Sequence, residues 1–305
     1  MKSVAVVGSI NTDMFTYSTK IPSSGETISG ESFSTGFGGK GANQALISAR
    51  LGARTFMVGC IGEDVFGESL LAHFKSEEIQ VNLIEKVEGS SGVATILVES
   101  NGNNRIVIIP GANHKIKKSQ VEKSINSISD LGIILGQFEI PQEVTLAAFR
   151  VAKEKGAITI LNPAPSQEIN KELLDICDWL IVNESEFQDL NPNGLGPEND
   201  NDIIKLASDF KLNLIVTLGE NGVKYLNPEI GKVIQIDSNK VNAVDTTGAG
   251  DTFVGAFAFG ILNNLQPIDA ITLGCNCAAL SVTRYGAQES MPSRLEAMKI
   301  LNDVI

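Results

Sequence analysis

Short apolar runs alternate with longer segments of helical periodicity along most of the chain. A short run without polar interruption is typical of a strand buried on both faces of a sheet. Such runs occur at Val4–Gly8, Thr55–Cys60, Gly132–Leu135, Ile158–Leu161, Trp179–Val182 and Leu214–Leu218. Helical patterns occur at Ala42–Leu51, Gly67–Glu78, Pro141–Lys155 and Ile203–Phe210, and in the apolar segment after Asp251. This alternation predicts right-handed βαβ units, a mostly parallel sheet and helices on both of its faces.

Two stretches depart from this alternation. Met14–Phe37 is rich in Ser, Thr and Gly, with scattered apolar residues. Gly92–Pro110 alternates apolar and polar positions on either side of Asn101–Asn104, a typical hairpin turn. We expect short antiparallel strands outside the main sheet that cover its ligand-binding edge. The prediction is therefore one α/β domain, residues 1–305, with a discontinuous β lid formed by about 14–39 and 92–110.

Composition and charge exclude some classes of function. The 305 residues are 43% apolar and 20% charged, as in a soluble protein with a substantial core. The net charge is −12 and the basic residues form no stripe, so nucleic-acid binding is disfavoured. The N-terminus resembles no signal or transit peptide, and no apolar run approaches membrane-spanning length. We expect a cytoplasmic protein with no membrane partner, whose four cysteines are free buried thiols.

The segment Asp245–Asp251 carries the clearest candidate chemistry. Gly248, Ala249 and Gly250 precede an apolar helix, and backbone N–H groups at a helix start carry the positive end of its dipole. Small side chains let a phosphate or an oxyanion approach those amides closely. A carboxylate at Asp251 would repel phosphate but could take a proton from a hydroxyl that attacks it. The alternative is an ordinary glycine-rich helix start capped by Asp.

A pair of polar residues and a second glycine-rich segment, Gly36–Ala45, come earlier in the chain. Asn11 and Asp13 come after the first strand and lie on the same side of an extended chain, where they could hold sugar hydroxyls. The later segment formally contains the G-x-G-x-x-G of dinucleotide-binding proteins, but no buried strand leads into it. We expect instead a glycine hinge that opens a helix, with Lys40 and Asn43 in its first turn facing a ligand.

Other strand ends offer weaker signals. Glu139 adds a carboxylate, and Asn183 and Glu186 fall on one face of a helical turn. That pair could hold magnesium and phosphates through water, or it could simply cap a helix. Thr217–Gly222 is either a nucleotide contact or a plain hairpin. The two histidines, His73 and His114, lie in no motif, which argues against histidine-based catalysis or metal binding.

The motifs together resemble one family. Gly38–Ala45 and Asp245–Asp251 look like the two signatures of the ribokinase-like carbohydrate kinases, the phosphofructokinase-B family. The likeness runs the whole length of the chain. Further matching segments, all in the expected order, are Gly8–Asp13, Asn162–Pro165, Asn183–Glu186, Thr217–Gly219 and Val282–Gln288. The resemblance implies a three-layer αβα sandwich, a small β lid that completes the site, and a homodimer joined through the lids.

The resemblance also implies individual roles. Positions that match sugar-binding residues of the family are Asn11, Asp13, Gly39, Lys40, Asn43 and Glu139. Asp251 matches the catalytic base, and the amides of Gly248, Ala249 and Gly250 match the anion hole. Positions that match ATP contacts are Asn183, Thr217, Gly219, Gly222, Gly250 and Asn276, and Glu186 matches a carboxylate of the magnesium water network. The positions of the family's potassium loop are Asp245, Thr247, Ser281, Arg284, Gly286 and Ser290.

The activity implied by the resemblance is ATP-dependent phosphorylation of D-ribose at O5, giving D-ribose 5-phosphate. Magnesium and potassium are the expected ions. The nearest alternative is a kinase of the same family that acts on deoxyribose, fructose or a nucleoside. More distant alternatives are a non-catalytic sugar or nucleotide binder and an NAD-dependent oxidoreductase. An intact Asp251 argues against the binder, and the missing strand before the glycines argues against the oxidoreductase.

Overall fold

The computed structural model describes residues 2–100, 103–191, 193–227 and 230–305. The strands are β1 (Ser3–Val7), β2 (Asn11–Ser18), β3 (Ser32–Gly38), β4 (Thr55–Gly62), β5 (Gln80–Val87), β6 (Gly92–Glu99), β7 (Asn104–Ile109), β8 (Leu131–Gly136), β9 (Ile158–Leu161), β10 (Trp179–Asn183), β11 (Asn213–Thr217), β12 (Val223–Asn227) and β13 (Lys232–Ile236). The α-helices are α1 (Lys40–Arg50), α2 (Val65–Ser76), α3 (Lys118–Ser127), α4 (Gln142–Glu154), α5 (Lys171–Asp175), α6 (Glu184–Leu190), α7 (Asp200–Phe210), α8 (Ala249–Leu262), α9 (Pro267–Ser281) and α10 (Arg294–Val304).

A large, mostly parallel sheet forms the centre of the molecule. Within the described ranges its strand order is β13-β12-β11-β10-β9-β8-β1-β4-β5. Every pair from β11 to β5 is parallel, whereas β12 pairs antiparallel with both of its neighbours. The predicted α/β class with a mostly parallel sheet is confirmed.

Helices cover both faces of the sheet because the buried strands are apolar on both sides. Val4 and Val6 of β1 belong to one core cluster, and Ala5 and Val7 belong to the other. The first cluster includes buried residues of α1, α2, α8, α9 and α10, and the second includes buried residues of α3, α4, α5, α6 and α7. Successive side chains of a strand point to opposite faces, so one apolar run supplies both cores.

A smaller sheet of strand order β3-β2-β6-β7 stands apart from the main one. It begins at Asn11, a few residues after β1 ends, so the chain passes directly from one sheet into the other. The sequence pattern predicts antiparallel strands here. That is right for β2–β3 and β6–β7, but β2 and β6 pair in parallel. They are not sequence neighbours, and the main-sheet elements between them allow a parallel crossover. Asn101 and Gly102 of the predicted turn lie outside the described residues.

Several elements were not predicted from the sequence. The edge strands β5 and β13 mix polar and apolar residues and are only partly buried, so they lack the apolar run that marks a central strand.

Thr217–Gly222 does form a hairpin turn between the antiparallel strands β11 and β12. All four cysteines are buried and free, as expected. In the part of the chain that is described, no helix has the length and apolarity needed to cross a bilayer.

Candidate active site

The carboxyl ends of the central strands meet the N-termini of α1 and α8 at one edge of the sheet. These two helices pack closely because Gly255 of α8 has no side chain: a Cβ there would lie 2.4 Å from the Gln44 carbonyl oxygen of α1. Ser48 Oγ donates to the Gly255 carbonyl at 3.0 Å across the same contact. The close approach brings the first turns of both helices, with Asn43 and Asp251, to the same place.

Asp251 is buried in the first turn of α8, and both of its carboxylate oxygens accept hydrogen bonds. Asn43 Nδ2 donates to Oδ2 at 2.9 Å, and Gln44 Nε2 donates to Oδ1 at 3.1 Å. The residue is only 6% exposed. Each carboxylate oxygen has a second lone pair, so the carboxylate can still accept a proton from a ligand.

The turn before Asp251 opens into a cavity of about 210 Å³. Gly248 has a φ of +74°, a left-handed conformation that glycine adopts without strain, and Thr252 N donates to its carbonyl oxygen at 2.8 Å as α8 begins. A Cβ on Gly250 would have no neighbour within 4 Å, so this residue faces open space. The Ala249 N–H donates to the Thr246 carbonyl oxygen at 3.2 Å, so of the three predicted anion-hole amides this one already has a partner.

Asn11 and Asp13 lie at the start of β2, where the lid sheet meets the main sheet. Asn113 Nδ2 donates to Asn11 Oδ1 at 2.7 Å and fixes the orientation of that amide. Asp13 is 7% exposed. Burial raises the pKa of Asp13 to about 7, and the neighbouring carboxylates Glu139, Glu289 and Asp251 contribute in the same direction. A buried carboxyl with this pKa is under-solvated, which suits a group that awaits hydroxyl donors from a ligand.

Neighbouring atoms leave no room for a side chain on either of the two glycines at the end of β3. A Cβ on Gly38 would lie 2.2 Å from Asp13 Oδ2. Gly39 has a φ of +90°, and a Cβ there would lie 2.8 Å from the Asn11 backbone nitrogen. The glycines therefore let the chain turn into α1 while it passes directly over the two polar residues of β2.

Glu139 and Lys40 connect the predicted sugar side to Asp251. The N-cap residue of α1, Gly39, has no side chain to cap the helix, and Glu139 Oε2 accepts the Lys40 N–H at 3.0 Å instead. The same oxygen accepts a hydrogen bond from Ser9 Oγ. The Asp251 carboxylate, with Glu139 and Glu186, raises the pKa of the Lys40 ammonium despite its burial. Lys40 therefore stays positively charged among the carboxylates.

On the predicted nucleotide side, Asn183 and Glu186 cap a helix and line the cavity at the same time. Asn183 Oδ1 accepts the Glu186 N–H at 2.8 Å, and Glu186 Oε2 accepts the Asn183 N–H at 3.0 Å. The two interpretations of this pair are thus compatible, since both residues and Thr217 line the cavity. Burial raises the pKa of Glu186 above its usual value. Gly219, Gly222 and Asn276 do not line the cavity, and Asn276 Oδ1 accepts a hydrogen bond from Asn239 Nδ2 at 2.8 Å.

The two segments of the predicted potassium loop lie side by side. Asp245 Oδ2 accepts the Gly286 N–H at 2.9 Å, while Oδ1 accepts from the N–H and the hydroxyl of Thr247 at 2.9 and 2.7 Å. The guanidinium group of Arg284 points to Glu296, with hydrogen bonds of 3.1 and 2.5 Å. The hydroxyls of Ser281 and Ser290 each donate to a carbonyl three residues earlier, both at 2.8 Å.

Sequence reasoning missed several polar residues around Asp251. Gln44 and Gln288 are buried and bonded to the site, although both lie within motifs that carried the family resemblance. Glu289 Oε1 accepts the Phe37 N–H of the lid strand at 3.3 Å, at a position with no sequence signal. His73, which lies in no motif, contacts Gln288.

Comparison with known proteins is consistent with this geometry. The pfkB family carbohydrate kinase profile matches residues 1–294. The chain belongs to this family. It is therefore a carbohydrate kinase, and membership implies that the site takes a sugar and ATP. The chain is 40% identical to a ribokinase of Lactococcus lactis over all of this chain and 98% of the relative, and 35% identical to a deoxyribokinase of Salmonella typhi over 95% of each.

The fold of a solved family member agrees as well. A structure of Arabidopsis thaliana ribokinase complexed with ribose and ATP superposes with a TM-score of 0.89, at 33% identity and with 98% of each chain covered. The family similarity thus extends from the signature motifs to the arrangement of the whole pfkB fold.

Proposed function

We propose that this kinase phosphorylates D-ribose at O5 with ATP, giving D-ribose 5-phosphate, with Asp251 as the catalytic base, and that it works in the cytoplasm, where ATP is supplied. The observation that carries the proposal is the position of Asp251. It is a buried carboxylate with both oxygens held, at the junction between the polar residues of β2 and the cavity at the start of α8. The names of full-length relatives and their ligands point to the same reaction.

The sugar would lie between the lid sheet and the first turn of α1. Asn11, Asp13, Gly39, Lys40, Asn43 and Glu139 are the proposed sugar-binding residues. Their side chains are mostly acceptors or amides, which suits a ligand with several hydroxyl groups. The raised pKa of Asp13 supports this placement, because hydroxyl donors would replace the solvation that its carboxylate has lost.

Phosphoryl transfer then requires a proton acceptor and a stabilised anion. Asp251 would accept the proton of the O5 hydroxyl while oxygen attacks the γ-phosphorus, the bond to the β,γ-bridging oxygen breaks and ADP leaves. The Gly248 and Gly250 amides, together with that of Ala249 if its bond to Thr246 opens, would stabilise the transferred group. Lys40, kept protonated by the surrounding carboxylates, would offset the remaining negative charge.

The nucleotide would enter from the cavity side. Asn183, Thr217, Gly219, Gly222, Gly250 and Asn276 are the proposed ATP contacts. Magnesium would be held mainly by phosphates and water, with Glu186 in its outer sphere. The raised pKa of Glu186 fits this role, since a buried carboxylate gains from a nearby cation.

The potassium loop would hold the backbone of the anion hole in position. Asp245 already joins Thr247 to Gly286, and hydroxyl and carbonyl oxygens are hard ligands that suit an alkali cation. Arg284 would contribute only its carbonyl oxygen, because its side chain is paired with Glu296. Ser281 and Ser290 complete the proposed set. The ion, when bound, would supply positive charge that fixes the turn before Gly248.

We also propose a homodimer through the lids. The strand β7 is an edge of the small sheet, and Ile106, Val107, Ile108 and Ile109 are all exposed on it. An apolar edge strand is a surface that proteins normally cover. Light scattering should give a mass of about twice 32.5 kDa, and Ile106→Lys with Ile108→Lys should reduce it to one chain. A wild-type monomer would remove this part of the proposal.

The test of the proposed function is a comparison of kcat/KM for ribose, 2-deoxyribose, fructose and adenosine. The predicted order places ribose first by at least about tenfold, the discrimination expected when a buried polar group loses its hydroxyl partner. The 35% identity to a deoxyribokinase makes 2-deoxyribose the second candidate. A higher kcat/KM for 2-deoxyribose would replace ribose as the substrate and leave the kinase mechanism intact.

A further inference from the structure

A chain of three hydrogen bonds leads to Asp251 from a histidine that the proposed mechanism does not use. His73 Nε2 lies 2.8 Å from Gln288 Oε1, and Gln288 Nε2 donates to Asn43 Oδ1 at 3.0 Å. Asn43 Nδ2 then donates to Asp251 Oδ2 at 2.9 Å. Gln288 is 1% exposed and Asn43 is 5% exposed, so water has little access to the middle of the chain.

The hydrogen bonds in this chain have a single direction. Gln288 donates to Asn43 through its nitrogen, so the oxygen of its amide faces His73. That oxygen can only accept, which means that His73 must donate from Nε2. Every donor in the chain therefore points toward Asp251, and a chain of this kind strengthens its last bond.

The orientation of Asn43 depends on this direction. A side-chain amide can rotate by half a turn with almost no change of shape. If Asn43 rotated, its oxygen would face the Asp251 carboxylate, and two acceptors would be in contact without a proton between them. The Asp251 carboxylate, which can only accept, opposes this rotation from one end of the chain, and an Nε2–H donor on His73 opposes it from the other end through the Gln288 amide.

The lid strand holds the first residue of the chain in place. The ring of His73 stacks on the ring of Phe37, with centroids 4.0 Å apart and an interplanar angle of 5°. Phe37 belongs to β3 and is followed by Gly38, which lies against Asp13. The same strand thus contacts both the proposed sugar-binding carboxylate and the histidine that leads to the base.

We propose that His73 is a positioning residue for phosphoryl transfer: through Gln288 it fixes the Asn43 amide, and thereby the Asp251 carboxylate, in the orientation that accepts the sugar proton. This inference rests on the proposed function, because it takes Asp251 as the base. His73 itself touches neither the sugar nor the nucleotide in this account. Its contribution is the Nε2–H donor, and the stacked Phe37 ring places that donor.

Two substitutions test the Nε2–H donor of His73 and its stacking on Phe37 separately. His73→Phe keeps an aromatic ring against Phe37 but removes the Nε2 donor, whereas His73→Gln keeps an amide donor near the same position but loses the ring. We expect His73→Phe to lower kcat about tenfold, less than the ~10²-fold loss that misplacing a reacting group by 1 Å can cause. His73→Gln should stay within about threefold of the wild type, a small loss because the donor that orients the amide chain is retained. The KM for ATP should not change in either variant.

The matched control is His114→Phe, the same substitution at the other histidine, which is exposed in the short helix Gly111–Lys115 and outside the chain of bonds. It should retain wild-type kcat. Gln288→Leu should reduce kcat as His73→Phe does, and the double variant should show no further loss, because both changes break one chain. Thermal unfolding of each variant would be recorded in parallel, so that a folding defect is seen separately.

The outcomes are distinct. A well-folded His73→Phe enzyme with wild-type kcat, or a His73→Gln enzyme that loses as much as His73→Phe, would overturn the positioning role. Additive losses in the double variant would also overturn it. Asp251→Asn, measured beside them, distinguishes failure of the proposed function from failure of this inference. If Asp251→Asn is inactive while His73→Phe is fully active, the proposed function stands and only the positioning role of His73 fails.

Discussion

Gln44 Nε2 donates to Asp251 Oδ1 at 3.1 Å, directly beside the Asn43 amide that donates to Oδ2. Two consecutive residues of α1 therefore hold the two oxygens of one carboxylate on α8. The arrangement depends on Gly255, because any side chain there would separate the helices at this contact. Each carboxylate oxygen keeps a further lone pair with which it can accept a proton, as a general base must.

Asp251→Asn should remove turnover while ATP binding stays nearly unchanged. The amide cannot accept the sugar proton, and its nitrogen would also meet one of the two donors that hold the carboxylate. General-base catalysis is typically worth ~10²–10⁴-fold, so kcat should fall at least a hundredfold. Steady-state kinetics and ATP titration would measure both quantities. Retention of more than about a tenth of wild-type kcat, well above what loss of a general base allows, would rule out Asp251 as the base.

Gly38→Ala should weaken ribose binding selectively. The new Cβ would lie 2.2 Å from Asp13 Oδ2, so the carboxylate must move from its present position. Loss of one charged hydrogen bond to a sugar hydroxyl costs ~1.5–3 kcal/mol, which corresponds to roughly a ten- to hundredfold rise in KM for ribose. The KM for ATP should stay the same.

Gly30→Ala is the control, since a Cβ at that lid residue approaches nothing closer than 3.3 Å. Equal effects of the two substitutions on both KM values would mean that Gly38 matters for folding of the lid rather than for Asp13.

Asp13→Asn should stabilise the sugar-free protein at high pH. The folded-state pKa of Asp13 is raised from 3.8 to about 7, mainly by burial. The proton-linked stability is therefore fully present below pH 4 and is lost as the pH rises through 7. The gain from the substitution should grow over that window to at most about 4 kcal/mol and level off above pH 8, since each pKa unit corresponds to about 1.4 kcal/mol.

Chemical denaturation at several pH values would measure this gain. Asp209→Asn, the same substitution at an exposed position of α7, is the matched control and would be measured in parallel. The same Asp13→Asn variant should bind ribose less tightly. A variant that is less stable than the wild type at pH 8 would contradict the under-solvated state of Asp13.

Activity should depend on potassium, with sodium a poor substitute. The two segments joined by Asp245 offer mostly neutral oxygens, which suit a large ion at relaxed distances, whereas sodium would require the segments to contract. The ion would act on the turn before Gly248, so its removal should lower kcat more than it weakens ribose binding. Initial rates at fixed ionic strength in potassium, caesium, sodium and a bulky organic cation would measure this. Equal rates in all four would eliminate the cation site without affecting the kinase assignment.

The sequence predicted the central sheet well because its strands are continuous apolar runs. Val4–Val7 illustrates this, since all four residues are fully buried, as expected of a strand that is covered on both faces. The edge strands β5 and β13 escaped prediction because their outer residues are polar. The parallel pairing of β2 with β6 was also missed, since pairing of distant strands depends on tertiary structure rather than on local pattern.

In the site, too, features with a local sequence pattern could be predicted, whereas contacts between distant residues could not. Asp251 and Asn43 could be identified because glycine-rich helix starts have a recognisable composition. The hydrogen bonds that lead from His73 through Gln288 to Asn43 could not be predicted, because His73 and Gln288 are 215 positions apart and no local pattern indicates their contact. Their roles depend on which way two amides face, and that follows only from the packed structure.

The central claim is that this chain transfers a phosphoryl group to O5 of ribose through Asp251. The most direct measurement is a proton-coupled ³¹P NMR spectrum of the product formed from ribose and ATP, recorded for the wild type and for Asp251→Asn. The account predicts a new phosphomonoester triplet for the wild type, since phosphorus on O5 couples to the two protons of a methylene group, and no new signal for the variant. A doublet, which phosphorylation of a hydroxyl on a ring carbon would give, would contradict it. A triplet that forms in the Asp251→Asn sample as fast as in the wild type would also contradict it.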